Sequence, residues 1–170
     1  MTALWTSDEV ARALAPSSIT APFEASGVTF DSRSVAKGDL FFALSGETTD
    51  GHAFVADALK RGAAAAVVSR DIAGADGALV RVPDTMKALV DLGRAARRRS
   101  KARIASVTGS VGKTSTKDAL RAMLSAQAPT AASVASYNNH VGVPVSLARL
   151  PRDVRYGVFE IGMNHPGEIE

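Results

Sequence analysis

The chain has no cysteine among its 170 residues, so a disulfide framework and a thiolate metal site are both excluded. Histidines number only three, and His52 and His165 have no second histidine at metal-ligand spacing, so zinc is not expected. No apolar run approaches the length needed to span a bilayer. The first residues, Met1-Thr2-Ala3-Leu4-Trp5, lack a basic segment followed by a long apolar one, and Asp8 and Glu9 arrive early. These absences point to a cytoplasmic protein with no membrane insertion. Aromatic residues are also scarce, at 5%. The basic cluster Arg94, Arg97, Arg98, Arg99, Lys101 and Arg103 has none interleaved with it and matches no nucleic-acid module. That cluster is read as a solvated helix end, where cations suit the negative pole of the helix dipole, running into a linker.

What is present is the composition of an ordinary globular chain, 46% apolar and 22% charged with a net charge of +3, able to bury a core. The centre of interest is Ser106-Val107-Thr108-Gly109-Ser110-Val111-Gly112-Lys113-Thr114-Ser115-Thr116. An apolar run from Ile104 to Val107 gives way to two glycines and a lysine. A helix-compatible segment with Ala119, Leu120, Met123 and Leu124 on one side follows. In such a strand, loop and helix the glycines let the backbone curl around an anion, the helix start offers unpaired amides, and the lysine adds a mobile charge. The expected ligand is a nucleoside triphosphate. The full Walker A pattern asks for glycine where Val107 stands, so the match is to a shorter form. A glycine turn with a surface lysine is the plainer alternative, but Gly-Lys-Thr-Ser directly after a buried-looking strand favours phosphate.

Along the chain, Thr6 and Glu9 have capping-box spacing, which starts a short helix through Val10, Ala13 and Leu14 that stops near Pro16. Strands are expected at Val28–Phe30, Leu40–Leu44, Ala63–Val68 and Ala78–Val82. Helices are expected at His52–Arg61, capped by Asp50, and at Thr85 to about Arg98, capped by Asp84. Strands alternating with helices indicate a small α/β domain over residues 1–98. The basic segment forms a boundary, and residues 99–170 would hold the phosphate loop, a strand at Ala132–Ala135, a helix at Val141–Leu150 with Pro144 in its first turn, a strand at Tyr156–Ile161 and a helical turn opening at Glu168. A nucleotide-binding α/β domain usually has more parallel strands than the about three available here. The chain is therefore expected to be a fragment, with an exposed sheet edge near Val158–Ile161.

For chemistry, Lys113 is placed to neutralise the outer phosphates and Thr114 to hold magnesium through its hydroxyl. Glu160, at the C-terminal end of an apolar strand, is the candidate carboxylate for the same metal, since open α/β sheets put ligands at that edge. The plainer reading of Glu160 is a strand-end carboxylate paired with a surface cation. Asn138, Asn139 and His140 either donate hydrogen bonds to a phosphate or sugar or form a turn, because paired asparagines tolerate left-handed backbone angles. Ser32-Arg33 and Asp50-Gly51-His52 are polar loops after apolar strands, able to form a second ligand site. Ser32 belongs to no Ser-His-Asp pattern, so a hydrolase is not supported.

The combination of Asp31-Ser32-Arg33-Ser34-Val35-Ala36-Lys37-Gly38-Asp39-Leu40-Phe41-Phe42-Ala43-Leu44, Asp50-Gly51-His52 with Phe54, and Thr108-Gly109-Ser110-Val111-Gly112-Lys113-Thr114-Ser115 resembles the Mur ligases of peptidoglycan synthesis. Ser115-Thr116-Lys117, Asn138-Asn139-His140-Val141-Gly142-Val143-Pro144 and the stretch from Phe159 to Ile169 resemble most closely the branch that adds D-alanyl-D-alanine. A sibling branch typically has Glu-Val-Ser-Ser-His in place of the last motif. The resemblance implies an ATP-dependent amide ligase acting on UDP-MurNAc-tripeptide and D-alanyl-D-alanine through an acyl phosphate. By matched position, Thr108, Gly109, Ser110, Val111, Gly112, Lys113, Thr114 and Ser115 would bind ATP, and Thr114 and Glu160 would hold Mg2+. Asn138 and Asn139 would line the nucleotide and substrate side of the cleft. Ser32, Arg33, Gly51 and His52 would belong to the domain that receives the UDP moiety. Members of this family continue well beyond the motifs seen here, so the chain is not expected to complete the reaction alone. A UDP-sugar-binding module without catalysis, or a sibling ligase adding a different residue, are the competing readings.

Overall fold

A computed structural model describes residues 3–46, 49–134 and 137–162. The chain divides into two compact units, Met1–Leu92 and Gly93–Glu170. The expected helical turn at Glu168 and the residue His165 lie outside the described residues.

The first unit begins with β1 (Trp5–Thr6) and α1 (Ser7–Ala13). The capping box forms as the spacing predicts: Glu9 N donates to Thr6 Oγ1 at 3.4 Å, and Thr6 N donates to Glu9 Oε2 at 3.1 Å. Then come β2 (Ser18–Ile19), β3 (Glu24–Ala25), β4 (Gly27–Thr29), β5 (Asp39–Phe42), α2 (Val55–Lys60), β6 (Ala65–Val68) and β7 (Ala78–Arg81). β1 and β3 pair antiparallel. A five-stranded sheet runs in the order β2-β7-β6-β5-β4, with β4 to β7 all parallel and β2 antiparallel at one edge. The register aligns Phe41 with Ala66 and Ala66 with Leu79, so these three share a face. Phe41 and Ala66 join Val55 and Ala58 of the α2 layer in one buried cluster. Alternation sends Leu40 and Phe42 to the opposite face, and both are fully buried there. A sheet covered on both faces explains why β5 and β6 read as unbroken apolar runs. Each such side chain contributes roughly 1.5–3 kcal/mol of hydrophobic burial.

The helix expected over His52–Arg61 is shorter than predicted. Asp50 does cap it, accepting from His52 N at 3.0 Å, but the first turn, Gly51–Phe54, winds as a 3-10 helix before α2.

α3 (Thr85–Arg99) carries the chain across the division between the units. Asp84 caps it, its Oδ1 accepting from Met86 N at 2.8 Å and Lys87 N at 2.9 Å. The second unit contains β8 (Arg103–Val107), α4 (Lys113–Ser125), β9 (Thr130–Ala132), α5 (Gly142–Ala148) and β10 (Tyr156–Glu160). Its described strands form a parallel sheet in the order β8-β10-β9.

That order overturns the expected exposed edge at Val158–Ile161. β10 is the central strand, paired with β8 from Tyr156↔Arg103 to Glu160↔Val107 and with β9 from Tyr156↔Thr130 to Val158↔Ala132. Among the described residues the outer positions belong to β8 and β9 instead. The last strand in sequence is inserted between the two earlier ones, as parallel crossovers permit. Two further expectations shift. The strand placed at Ala132–Ala135 runs over Thr130–Ala132. α4 does not turn its predicted apolar face fully inward: Met123 is 66% exposed, and the buried residue of the helix is Lys117.

Candidate active site

All three strands of the second sheet are parallel, so their C-terminal ends share one edge. Glu160 and Val107 are register partners at that edge, and Ile161 N donates to Val107 O at 2.9 Å. The phosphate loop therefore leaves β8 directly beside Glu160. Gly109 has φ +144° and Gly112 φ +77°, a region that disfavours side chains, and Gly112 is the residue that starts α4. No side chain caps α4. α1 and α3, by contrast, have Thr6 and Asp84 on their first amides. An uncapped thirteen-residue helix behind a glycine loop keeps its N-terminal N–H groups and the positive end of its dipole open to an anion. Thr108, Ser110 and Val111 are exposed on the loop, and Ser115 lies exposed in the first turn of the helix. Lys113 arches back over the loop, donating from Nζ to Gly109 O at 2.7 Å.

Glu160 is 4% exposed, and each of its carboxylate oxygens has a donor. Oε2 accepts from Thr114 Oγ1 at 2.8 Å, and Oε1 accepts from Asn138 Nδ2 at 2.8 Å. Burial pushes this carboxyl up. The bonds from Asn138 and Thr114, with the positive charges of Lys117 and Lys113, outweigh burial and hold it below the ordinary glutamate value. Neither partner is a surface cation, so the plainer reading of Glu160 does not describe its surroundings. A buried, ionised carboxylate with a hydroxyl beside it is a hard oxygen donor set next to an open anion site.

The two asparagines divide their work. Asn138 faces Glu160, and its carbonyl accepts from Gly162 N at 2.7 Å. Asn139 closes the turn into α5: its Oδ1 accepts from Gly142 N at 2.8 Å and Val141 N at 3.2 Å. His140 is exposed.

In the first unit, β4 to β7 are parallel, so the turns after β4, β5 and β6 all lie at one edge of that sheet. Ser32 and Arg33 sit in a 3-10 turn after β4. Arg33 is exposed and forms a two-pronged pair with Asp31, Nε to Oδ1 at 2.9 Å and Nη2 to Oδ2 at 2.8 Å. That pair lowers the Asp31 carboxyl. Gly51 packs against the end of β5 so closely that a Cβ there would lie 2.7 Å from Leu44 O.

His52 is buried beneath the same turn. Its Nδ1 lies 2.6 Å from Asp50 Oδ1, and its Nε2 accepts from Ser69 N at 3.0 Å. The backbone amide can only donate, so Nε2 carries no proton and the hydrogen sits on Nδ1, facing Asp50. Asp50 also accepts from Ser45 Oγ at 3.1 Å and Arg70 Nη2 at 2.5 Å. The His52 hydrogen bonds, aided by Ser45 and Arg70, hold the Asp50 carboxyl well below the usual carboxylate range. His52 thus ties the turn after β5 to the end of β6, while Ser32 is half-buried and Arg33 is exposed.

Lys117 enters the sequence reading only as part of the Ser115-Thr116-Lys117 motif and is given no role there, although it is buried near this site. Its signal was its position three residues after Thr114, in line with Leu120 and Leu124 on the inward stripe of α4.

Residues 107–170 match the family model for the Mur ligase middle domain, and residues 24–97 match that for the Mur ligase family, catalytic domain. The chain belongs to the Mur ligase family. Among Mur ligases, it is 43% identical over 143 residues to UDP-N-acetylmuramoyl-tripeptide--D-alanyl-D-alanine ligase of Rickettsia prowazekii (strain Madrid E), an alignment covering 84% of this chain and 32% of that protein. The enzyme of the same name from Escherichia coli (strain K12) is 42% identical over 142 residues, covering 84% and 31%. Two solved Mur ligases share the architecture. A crystal structure of MurF from Acinetobacter baumannii superposes with a TM-score of 0.82 at 37% identity, covering 97% of this chain and 37% of that one. MurF from Thermotoga maritima, crystallised with ADP, gives 0.68 at 29% identity, covering 84% and 33%. The chain spans about a third of the length of the curated Mur ligases it matches.

Proposed function

We propose that this chain supplies the nucleotide site and the substrate-entry domain of an ATP-dependent ligase that joins D-alanyl-D-alanine to UDP-MurNAc-tripeptide. The observation that carries this is the open phosphate loop on β8 with the Thr114–Glu160 pair on the neighbouring strand. The names of the relatives support the substrate pair.

The residues present fit ATP and Mg2+. The uncapped start of α4, the positive-φ glycines and Lys113 suit a polyphosphate. Among the described residues no cluster of three or more His, Cys, Asp or Glu could cage a metal. Magnesium needs no such cage, since it is commonly held by one or two protein oxygens together with substrate phosphates. Thr114 and Glu160 would hold it. When bound, the ion neutralises charge developing on the transferred phosphoryl group. In the assigned reaction the tripeptide carboxylate attacks the γ-phosphorus to give an acyl phosphate and ADP, and the dipeptide amine then displaces phosphate. Positioning and charge supply most of the catalysis in phosphoryl transfer. Here Gly109 to Ser115 would cradle the phosphates, and Lys113, which donates to Gly109 O, would be free to turn to the outer phosphates. Asn138 and Thr114 keep Glu160 aligned and ionised.

We assign residues 1–98 to UDP recognition, through the turn edge carrying Ser32, Arg33 and Gly51 with His52 bracing it from below. Residues 99–170 are assigned to the nucleotide. We place this activity in the cytoplasm, where ATP is supplied. No helix among the described residues is long and apolar enough to cross a membrane. Separate titrations of UDP-MurNAc-tripeptide and ATP into the chain test the reading. Binding of both supports it, whereas binding of the UDP-sugar alone would leave only a non-catalytic module.

A further inference from the structure

Lys117 is 3% exposed, an unusual place for an ammonium group. It lies one turn beyond Thr114 on α4, on the side turned towards the sheet. Its Nζ donates to Ser133 O at 3.2 Å and lies 3.3 Å from Asp118 Oδ1. Ser133 is itself 4% exposed and follows directly on β9. The Ser133 hydroxyl accepts from Glu160 N at 3.0 Å, and Ser133 N donates to Val158 O at 3.0 Å. A continuous chain of contacts therefore runs from α4 through the end of β9 to the backbone of Glu160. Above it, Thr114 reaches the Glu160 carboxylate from the same helix.

We propose that Lys117 is a positioning residue of the nucleotide–metal site: by clamping α4 to Ser133 it sets the separation between the Thr114 hydroxyl and the Glu160 carboxylate. Packing alone would be served by a methionine of similar volume, and a buried cation is costly unless a neighbour needs its charge. Asp118, half exposed, lies in ion-pair range, and the Lys117 charge also favours the ionised form of Glu160, a buried carboxylate whose hydrogen-bond donors among the described residues, Thr114 and Asn138, are neutral. Without the clamp, the Thr114–Glu160 bond would be left to hold the start of α4 against the carboxylate, and a metal ion must compete with that bond and rearrange it.

The inference rests on reading the loop as a magnesium–nucleotide site, and the test separates the two. ATP is titrated calorimetrically into the chain across a Mg2+ series and in EDTA, for wild type, Lys117→Met, Lys117→Arg and Ser133→Ala. Lys117→Met and Ser133→Ala should each raise the Mg2+ concentration for half-maximal ATP binding tenfold or more. Affinity in EDTA should stay within twofold, and Lys117→Arg should recover part of the shift. An unchanged Mg2+ dependence in Ser133→Ala, or in folded Lys117→Met, would overturn the proposal. So would an equal loss of ATP affinity with and without Mg2+, the signature of a merely loosened fold. Absence of magnesium-dependent binding in wild type would instead remove the underlying reading.

Discussion

The Thr114 hydroxyl lies 2.8 Å from Glu160 Oε2, joining the first turn of α4 to the last residue of β10 across 46 positions of sequence. The contact exists because β8 and β10 are parallel neighbours in register, which sets Glu160 beside Val107 where the phosphate loop departs. One hydroxyl and one carboxylate thereby converge beside the glycine loop, at the proposed nucleotide site.

Replacing Thr114 with valine keeps the shape and removes the donor. A buried carboxylate that loses one of two hydrogen bonds should cost about 1–3 kcal/mol of stability. The Mg2+ dependence of ATP binding should weaken at the same time. Urea melts and calorimetric titration check the two effects, and Thr114→Ser should restore both.

The fold should lose stability towards acid. Glu160, Asp50 and Asp31 all have carboxyls below their ordinary values when folded. The unfolded chain therefore binds more protons, and stability rises with pH through that range. Their contribution is complete above the ordinary carboxylate values, about 4, and is lost as pH falls through the lowered folded values. The thermal midpoint should be flat from neutral pH down to about 5 and fall below it. Asp50→Asn and Glu160→Gln should shallow the acid limb. A midpoint that rises on acidification would contradict this.

Asp50→Ala should be more damaging than its surface position implies. It removes the cap of the Gly51–Phe54 turn, leaves the buried His52 Nδ1–H without an acceptor and frees Arg70. A loss of about 2–3 kcal/mol is expected from urea unfolding. His52→Ala should weaken UDP-substrate binding through the turn it braces and lower stability as well. Ser32→Ala, at a half-buried position in the turn after β4, should affect binding with a smaller change in stability.

Two glycines should respond differently to alanine. At Gly142 a Cβ would lie 2.4 Å from Tyr137 Cα, which no side-chain motion relieves, so Gly142→Ala should displace the Asn138–Asn139 segment and impair the Glu160 site. At Gly112 nothing lies within 4 Å of an added Cβ, but φ is +77°. Gly112→Ala should therefore cost only the left-handed strain, roughly 1–2 kcal/mol. Comparing the two variants' melting and ATP binding checks the distinction.

Much of this is legible in the sequence. The capping box at Thr6 and Glu9, the Asp84 cap, the buried run at β5 and the phosphate loop are local patterns, with their physics contained in a few neighbouring residues. The apolar strand ending at Glu160 also marked the right edge of the sheet. Strand order was not legible: β10 looked like an edge because it comes last in sequence, whereas parallel crossovers placed it in the centre. The partner of Glu160 at position 138 and the role of Lys117 also escaped, since both depend on residues far apart in sequence meeting at one strand end. Polarity misled in particular at Lys117, where a charged residue occupies the inward stripe of α4 and Met123 lies outside it.

Whether the loop and Glu160 form one magnesium–nucleotide site is decided by calorimetric titration of ATP with Mg2+ and with EDTA, in wild type and Glu160→Gln. Wild type should bind ATP with Mg2+, and Glu160→Gln should lose at least tenfold in affinity with Mg2+, about 1.4 kcal/mol, but little in EDTA. Equal ATP affinity in both proteins at every Mg2+ concentration would mean that Glu160 takes no part in a metal site.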